Sequence, residues 1–288
     1  MINWILEDGV FGCSMTPLAN EIEKQGHNVK IVDYTRGITD YQHFFPKTEC
    51  IIFYGSLHIA QQILSRNLSW IPGIIGTIEN YCCTAYYPHL KPWLLNADGY
   101  ILPLSELSSS AFDNPKLLLS LEESKRLFIR PNSPLKPFAG GLYSLEELTD
   151  LDSFMKRHYL EDPNILVIVA PEKPIEAEWR VIIAQGQILC ASQYRQFGKP
   201  YYQSGMPEVV QRVAEAVAQQ QWQPDPIWVL DLCCSNNLAY VLEINFLSCS
   251  ALYQCDLSSV VREASNIAWK KWVECRRGGI TSQNSFPG

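Results

Sequence analysis

The chain has 288 residues, 47% hydrophobic and 18% charged, with 23 Lys and Arg against 30 Asp and Glu for a net charge of −7. That is ample apolar material for one large domain or two ordinary ones. The acidic balance, with no basic run longer than two residues, argues against nucleic-acid binding by charge.

Ten cysteines are scattered or adjacent (Cys82-Cys83, Cys233-Cys234) and form no CxxC pair. This points to reduced thiols in a cytoplasmic protein, not to a disulfide framework or a zinc site. The opening residues, MINWILEDGVFG, carry acids where a secretory leader carries positive charge, and no apolar run approaches membrane-spanning length. No membrane partner is expected.

Three short apolar runs, 2–6, 29–34 and 50–54, alternate with helix-compatible segments, the rhythm of a small α/β domain with a parallel sheet. Thr16-Pro17 offers a cap and first turn for the first helix, and Gly26 its stop. Tyr54-Gly55-Ser56 precedes a second helix over 57–64; such a junction either receives an anion or is a plain tight turn. The segment 70–103 is dense in aromatics and prolines that either line a substrate pocket or pack a core, and 99–104 reads as the last strand of this domain. Ser108-Ser109-Ser110 and Asn114-Pro115 then mark a boundary near residue 110.

Beyond it, 127–130 is a strand entering PNSPLKPFAGG. Ser144 with Glu147 forms a capping box for a helix whose apolar face holds Leu145, Leu148, Leu151 and Met155. An apolar strand over 165–170 is broken by PEKP, and strands 178–184 and 187–193 turn around Gln185-Gly186. A helix over 207–221 carries the stripe Val209, Val213 and Val217. Strands 227–233 and 239–246 form a hairpin through Ser235-Asn236-Asn237, a last helix covers 257–275, and the tail 276–288 has a disordered composition.

On that hairpin Glu243 and Asn245 share a face, and a paired strand brings Asp231 beside them. Two carboxylates and an amide oxygen suit a hard cation such as Mg²⁺, although charges alternating along a solvated strand face give the same pattern. Upstream lie Arg130 and Lys136, then the broken apolar strand, then Glu178 and Arg180, the parts a nucleoside triphosphate requires. No GxxxxGK[ST] occurs, which excludes a P-loop cradle.

The segments FIRPNSPLKPF (128–138), ILVIVAPEKPIEAEWRVII (165–183) and VLDLC with YVLEIN (229–245) resemble the ATP-grasp superfamily, and Arg130, Lys136 and Arg180 resemble its clade with two arginines and one lysine. The resemblance covers most of 115–275. It implies a small N-terminal α/β domain with a parallel sheet (1–110) followed by a two-subdomain ATP-grasp fold (111–170 and 171–275). Arg130 and Lys136 would hold the phosphates of ATP, and Val169, Ala170 and Glu172 would form the hinge that reads adenine. Glu178 would contact ribose, Arg180 would face the transferred phosphoryl group, and Asp231, Glu243 and Asn245 would bind Mg²⁺. Arg195 is a further candidate cation. The implied activity is an ATP-dependent carboxylate–amine ligase working through an acyl phosphate, on an unidentified amino acid, peptide or polyamine, with a homodimer allowed. A nucleotide-binding module without ligase chemistry and a phosphotransferase are the rivals. Two positions depart from the family pattern: Leu230 stands where an arginine often precedes the aspartate, and Phe246-Leu247-Ser248-Cys249 replaces a glycine after the acidic strand.

Overall fold

The apolar runs of the first hundred residues become β1 (Asn3–Asp8), β2 (Asn28–Asp33) and β3 (Cys50–Tyr54), paired in parallel with a short β4 (Ile71–Gly73) in the order β2-β1-β3-β4. The computed structural model describes residues 1–33, 43–65, 70–107 and 114–277. Parallel neighbours need a crossover. Helix α1 (Thr16–Lys24) supplies one, and α2 (Leu57–Ser65) lies between β3 and β4. Pro17 sits in the first turn of α1 and Gly26, at φ +78, follows its end, but the cap is Met15 and not Thr16, with the Met15 N–H held by the Asp8 carboxylate at 2.8 Å. Of the two readings of the junction after β3, the plain turn holds, its N–H groups being used internally. The Ser56 N–H donates to Glu7 Oε2 at 2.7 Å and the Gly55 N–H to the Ser248 carbonyl at 2.8 Å.

The strand expected to close this sheet does not join it. Residues Tyr100–Pro103 form β5, which pairs antiparallel with β8 (Leu166–Pro171) in a separate four-stranded sheet, β5-β8-β6-β7, with β6 at Arg126–Pro131 and β7 at Gly141–Ser144. Apolar β5 fits either sheet by composition; α3 (Cys83–Leu90) and the turns after it carry the chain across to β8. The Ser108–Ser110 boundary and residues 278–288 of the expected tail lie outside the described residues, while Arg276 and Arg277 close the last helix.

Helix α4 (Pro115–Glu123) covers the second sheet together with α5 (Leu145–Thr149) and α6 (Leu151–His158). The single helix expected after Ser144 is therefore two. The capping box forms as read, but the Asp150 side chain accepts the Ser153 N–H at 3.1 Å and restarts the helix.

The third sheet is five-stranded and antiparallel, β11-β10-β9-β12-β13, built from β9 (Ala177–Ala184), β10 (Gln187–Gln196), β11 (Lys199–Ser204), β12 (Ile227–Ser235) and β13 (Leu238–Asn245). Asn236 and Asn237 both have positive φ, 52 and 62, as a two-residue type I′ turn demands. In α7 (Glu208–Ala218) the buried face is Val210, Ala214, Val217 and Ala218; Val209, expected inside, is 40% exposed, so the apolar stripe is rotated by one position.

Helix α8 (Leu257–Arg277) unites the halves. Its Val261, Ala264 and Ala268 share one core with Trp4, Leu6 and Ile52 of the parallel sheet and with Ile182 and Val229 of the third sheet. The opposite face of the third sheet packs Trp179, Val181 and Leu230 against α7 and against Tyr81 and Tyr86, so these aromatics are core residues. After β13 the chain docks on the edge of the parallel sheet: Ser248 Oγ accepts the Ile75 N–H at 3.0 Å, and Tyr54 Oη donates to the Ser250 carbonyl at 2.6 Å. Phe246 lies 4.3 Å from the Tyr81 ring, and a Cβ on Gly76 would come within 2.4 Å of it.

Because Ala264 is fully buried between two sheets, Ala264→Asp is expected to cost more than about 3 kcal/mol. Urea unfolding followed by near- and far-ultraviolet circular dichroism should show both signals moving together; a shift in one alone would mean that the sheets unfold independently.

Candidate active site

A cavity of about 630 Å³ opens between the second and third sheets, within the range of small-molecule sites. Strand alternation places its first cation. Leu127 and Ile129 of β6 point into the second sheet's core, so Phe128 and Arg130 face the cavity, and Lys136 follows in the loop beyond, at φ 50. From the other side Glu243 of β13 reaches both. Arg130 Nη2 and Lys136 Nζ each lie 2.9 Å from its carboxylate oxygens. Burial works against the charge on Glu243, but Lys136 and then Arg130 outweigh it and hold its carboxyl well below the usual range.

The three predicted residues meet, but with the Asn245 amide nitrogen, not its oxygen, toward the carboxylates. Asp231 pairs with Glu243 across β12 and β13, and Asn245 Nδ2 donates to Asp231 Oδ2 and to Glu243 Oε1, both at 3.0 Å. A register shift between Asp231 and Leu232 adds one feature that alternation does not give: Val241 faces the opposite core, while Leu242 and Glu243 both line the cavity. Among the described residues no group of three or more His, Cys, Asp and Glu could hold a metal. A cation here would take the two carboxylates and, with the Asn245 amide turned over, its oxygen. Magnesium, which keeps waters and takes its remaining ligands from substrate phosphates, fits that donor set.

Asp231, only 1% exposed, is gripped by Arg180, its direct neighbour on β9, through Nε at 2.9 Å and Nη2 at 2.7 Å. Arg180 Nη1 donates to the Ala251 carbonyl at 2.9 Å, and its guanidinium lies 5.5 Å from the Tyr194 ring and 5.2 Å from the Tyr253 ring. Burial opposes the Arg180 charge; Asp231 overcomes this and pushes its pKa above the ordinary value. Arg180 thus stands behind the oxygen trio and does not line the cavity, nor do Asp231 and Asn245.

Glu178 does line it, with its carboxylate taken by Tyr194 Oη at 2.7 Å and Arg195 Nη1 at 3.1 Å. Of the three residues expected at the hinge, only Glu172 reaches the cavity. It pairs with Arg126 at 2.6 Å, and its N–H donates to Ser120 Oγ at 3.2 Å. Val169 and Ala170 are fully buried inside β8, Val169 paired with both β5 and β6 and Ala170 with β6; the wall is Pro171 to Ile175. Sequence reasoning passed over Leu95 and Asn96, from the aromatic-rich segment, and over Lys173, whose Nζ bonds Asn96 at 3.2 Å and Asp98 at 2.7 Å. A lysine between the prolines of PEKP was the one available signal for the last.

A cleft between two sheets, with cations on one and an acid–amide strand on the other, is the arrangement of the ATP-grasp ligase fold. D-cycloserine synthetase DcsG superposes with a TM-score of 0.62 at 14% identity, covering 93% of this chain and 100% of that one. D-alanine–D-alanine ligase from Bacillus anthracis gives 0.55 at 10% identity (97% and 100%), and the ATP-grasp ligase PsnB complexed with minimal precursor gives 0.53 at 10% identity (92% and 99%). A model of the ATP-grasp domain, family 3 of the clade with two arginines and one lysine, matches residues 104–264, more than half of the chain, and the protein belongs to that family. No curated protein sequence matches the chain. Among the described residues no helix is long and apolar enough to cross a membrane, and all ten cysteines are unbridged.

Because the folded pKa of Glu243 is depressed, its pairing contributes stability above the unfolded value near ~4.3, and that contribution is lost as pH falls below it. Glu243→Gln is expected to cost about 3 kcal/mol at pH 7, since it strands two cations. Urea unfolding from pH 7 down to pH 3 should show the gap between wild type and variant narrowing below about pH 4. A gap that stays constant would mean that the carboxylate is not ionised by its neighbours.

Proposed function

We propose that this protein is an ATP-dependent carboxylate–amine ligase, with ATP bound in the cavity between the second and third sheets. The observation that carries the reading is the convergence of Arg130, Lys136 and Glu243, 113 positions apart at the extremes, across that cavity. Arg130 and Lys136 would take the phosphates, Pro171 to Ile175 with Leu242 would enclose the base, and Glu178 would stand at the ribose. Asp231, Glu243 and Asn245 would hold Mg²⁺, which when bound offsets phosphate charge and orients the terminal phosphoryl group. We assign Arg180 to orienting Asp231 through its two-point grip, a role that lysine's single charge cannot copy.

In this chemistry a substrate carboxylate oxygen attacks the terminal phosphorus of ATP and ADP leaves; an amine nitrogen then attacks the acyl carbon, phosphate leaves and an amide forms. The chain supplies position and positive charge, with no covalent nucleophile. Burial pushes up the pKa of both Cys83 and Cys249, so neither thiol is activated. The division at residue 110 and the cytoplasmic, amino acid-, peptide- or polyamine-directed setting belong to the same proposal.

Mg·ATP is expected to raise the stability of the wild type by about 2.7 kcal/mol at a hundredfold excess over its dissociation constant. Lys136→Ala should lose most of that shift in thermal melts, and an undiminished shift in the Lys136→Ala, Arg130→Ala double variant would place ATP elsewhere. A matrix of amino acids, short peptides and polyamines, scored by ADP release and product mass, tests the reaction. A ligase releases ADP fully only when a carboxylate and an amine are both present and yields their sum less water; a phosphorylated acceptor with no amine requirement would establish a phosphotransferase instead.

A further inference from the structure

Residues 83–98 precede the segment matched by the family model, yet they touch the cavity's parts at several points. The Cys83 and Thr84 N–H groups donate to Asn132 O and Oδ1 at 3.0 and 2.8 Å, just beyond β6. The Leu95 N–H donates to the Val241 carbonyl at 2.9 Å on β13, and Asn96 and Asp98 hold Lys173. Between these anchors lies Tyr86, with no exposed surface. Its Oη accepts from Arg130 Nη1 at 3.3 Å and sits 3.5 Å from Cys83 Sγ, whose own S–H donates to the Pro131 carbonyl at 3.9 Å.

A ring in this core needs no hydroxyl. A buried hydroxyl costs stability unless it is bonded, so phenylalanine would serve packing alone. Burial pushes the Tyr86 pKa well above its ordinary value, so the group meeting Arg130 is a neutral phenol whose oxygen accepts. Arg130 therefore has two tethers, Glu243 at Nη2 and Tyr86 at Nη1. If a phosphate competes for Nη2, the tether to Glu243 weakens, and the phenol is what keeps the guanidinium plane aimed at the cavity. Tyr86 does not line the cavity and acts only through Arg130.

We infer that Tyr86 is a positioning residue for phosphate binding by Arg130, supplied from outside the family's own segment; this rests on the reading of Arg130 as a phosphate ligand. The test is a double-mutant cycle read by calorimetric titration with Mg·ATP and, separately, with adenosine, on wild type, Tyr86→Phe, Arg130→Ala and the double variant. Tyr86→Phe should weaken Mg·ATP about tenfold, the scale of one hydrogen bond to a charged group, and leave adenosine unchanged. In the Arg130→Ala background the same substitution should have no further effect on Mg·ATP. Unchanged Mg·ATP affinity in Tyr86→Phe, an equal loss for adenosine, or a full tenfold loss persisting without Arg130 would each overturn the inference and leave the nucleotide site standing. Failure of the wild type to bind Mg·ATP would remove the site reading itself, and the inference with it.

Discussion

Glu243 between Arg130 and Lys136 is the contact on which the geometry of the cleft depends. A partly buried carboxylate is tolerated only with its charge matched, and here the matching cations come from a different sheet. The second and third sheets must therefore face each other at one separation. From Glu243 the network runs through Asn245 to Asp231 and on to Arg180, so a displacement at the cavity wall is felt two strands away. Three cations meet two carboxylates in this chain of contacts, and the positive excess lies on the cavity side, where Arg130 and Lys136 stand. Anionic ligands are favoured there by the field of the wall as well as by individual bonds.

The hairpin at 227–245 was legible because its signals agree. Apolar alternation, an Asn-Asn turn suited to positive φ and three oxygen-bearing residues at compatible spacing all point one way. What alternation could not give was the bulge that turns Leu242 to the same side as Glu243, since an extra residue in a ladder leaves no mark on composition. Val169 and Ala170 were misplaced for a related reason. An apolar strand running into prolines locates a break, but only the pairing with β6 shows that the last two apolar residues are still inside the sheet. β5 went to the wrong sheet because a four-residue strand carries no record of its partner. The fold class was readable from local pattern; partners across more than forty positions were not, Tyr86 with Arg130 and Asn96 with Lys173 among them.

Leu230 precedes Asp231 without offering it a charge, and the register of the third sheet shows which cation reaches that carboxylate. Arg180 lies directly across from Asp231 on β9, so a cation one strand over reaches the carboxylate with a two-point fork. It is confined there by the Ala251 carbonyl and by the rings of Tyr194 and Tyr253, which cover its faces.

The turn after β13 shows a similar exchange in volume. The large Phe246 occupies that turn, and the room it needs is found at Gly76, where no side chain could stand beside its ring. Space has been moved between two positions 170 residues apart. Shortening residue 246 would open a void beside residue 76, yet a side chain at residue 76 would still be strained by its φ of +147. Residue 76 is thus held to glycine twice, by the ring beside it and by its own backbone.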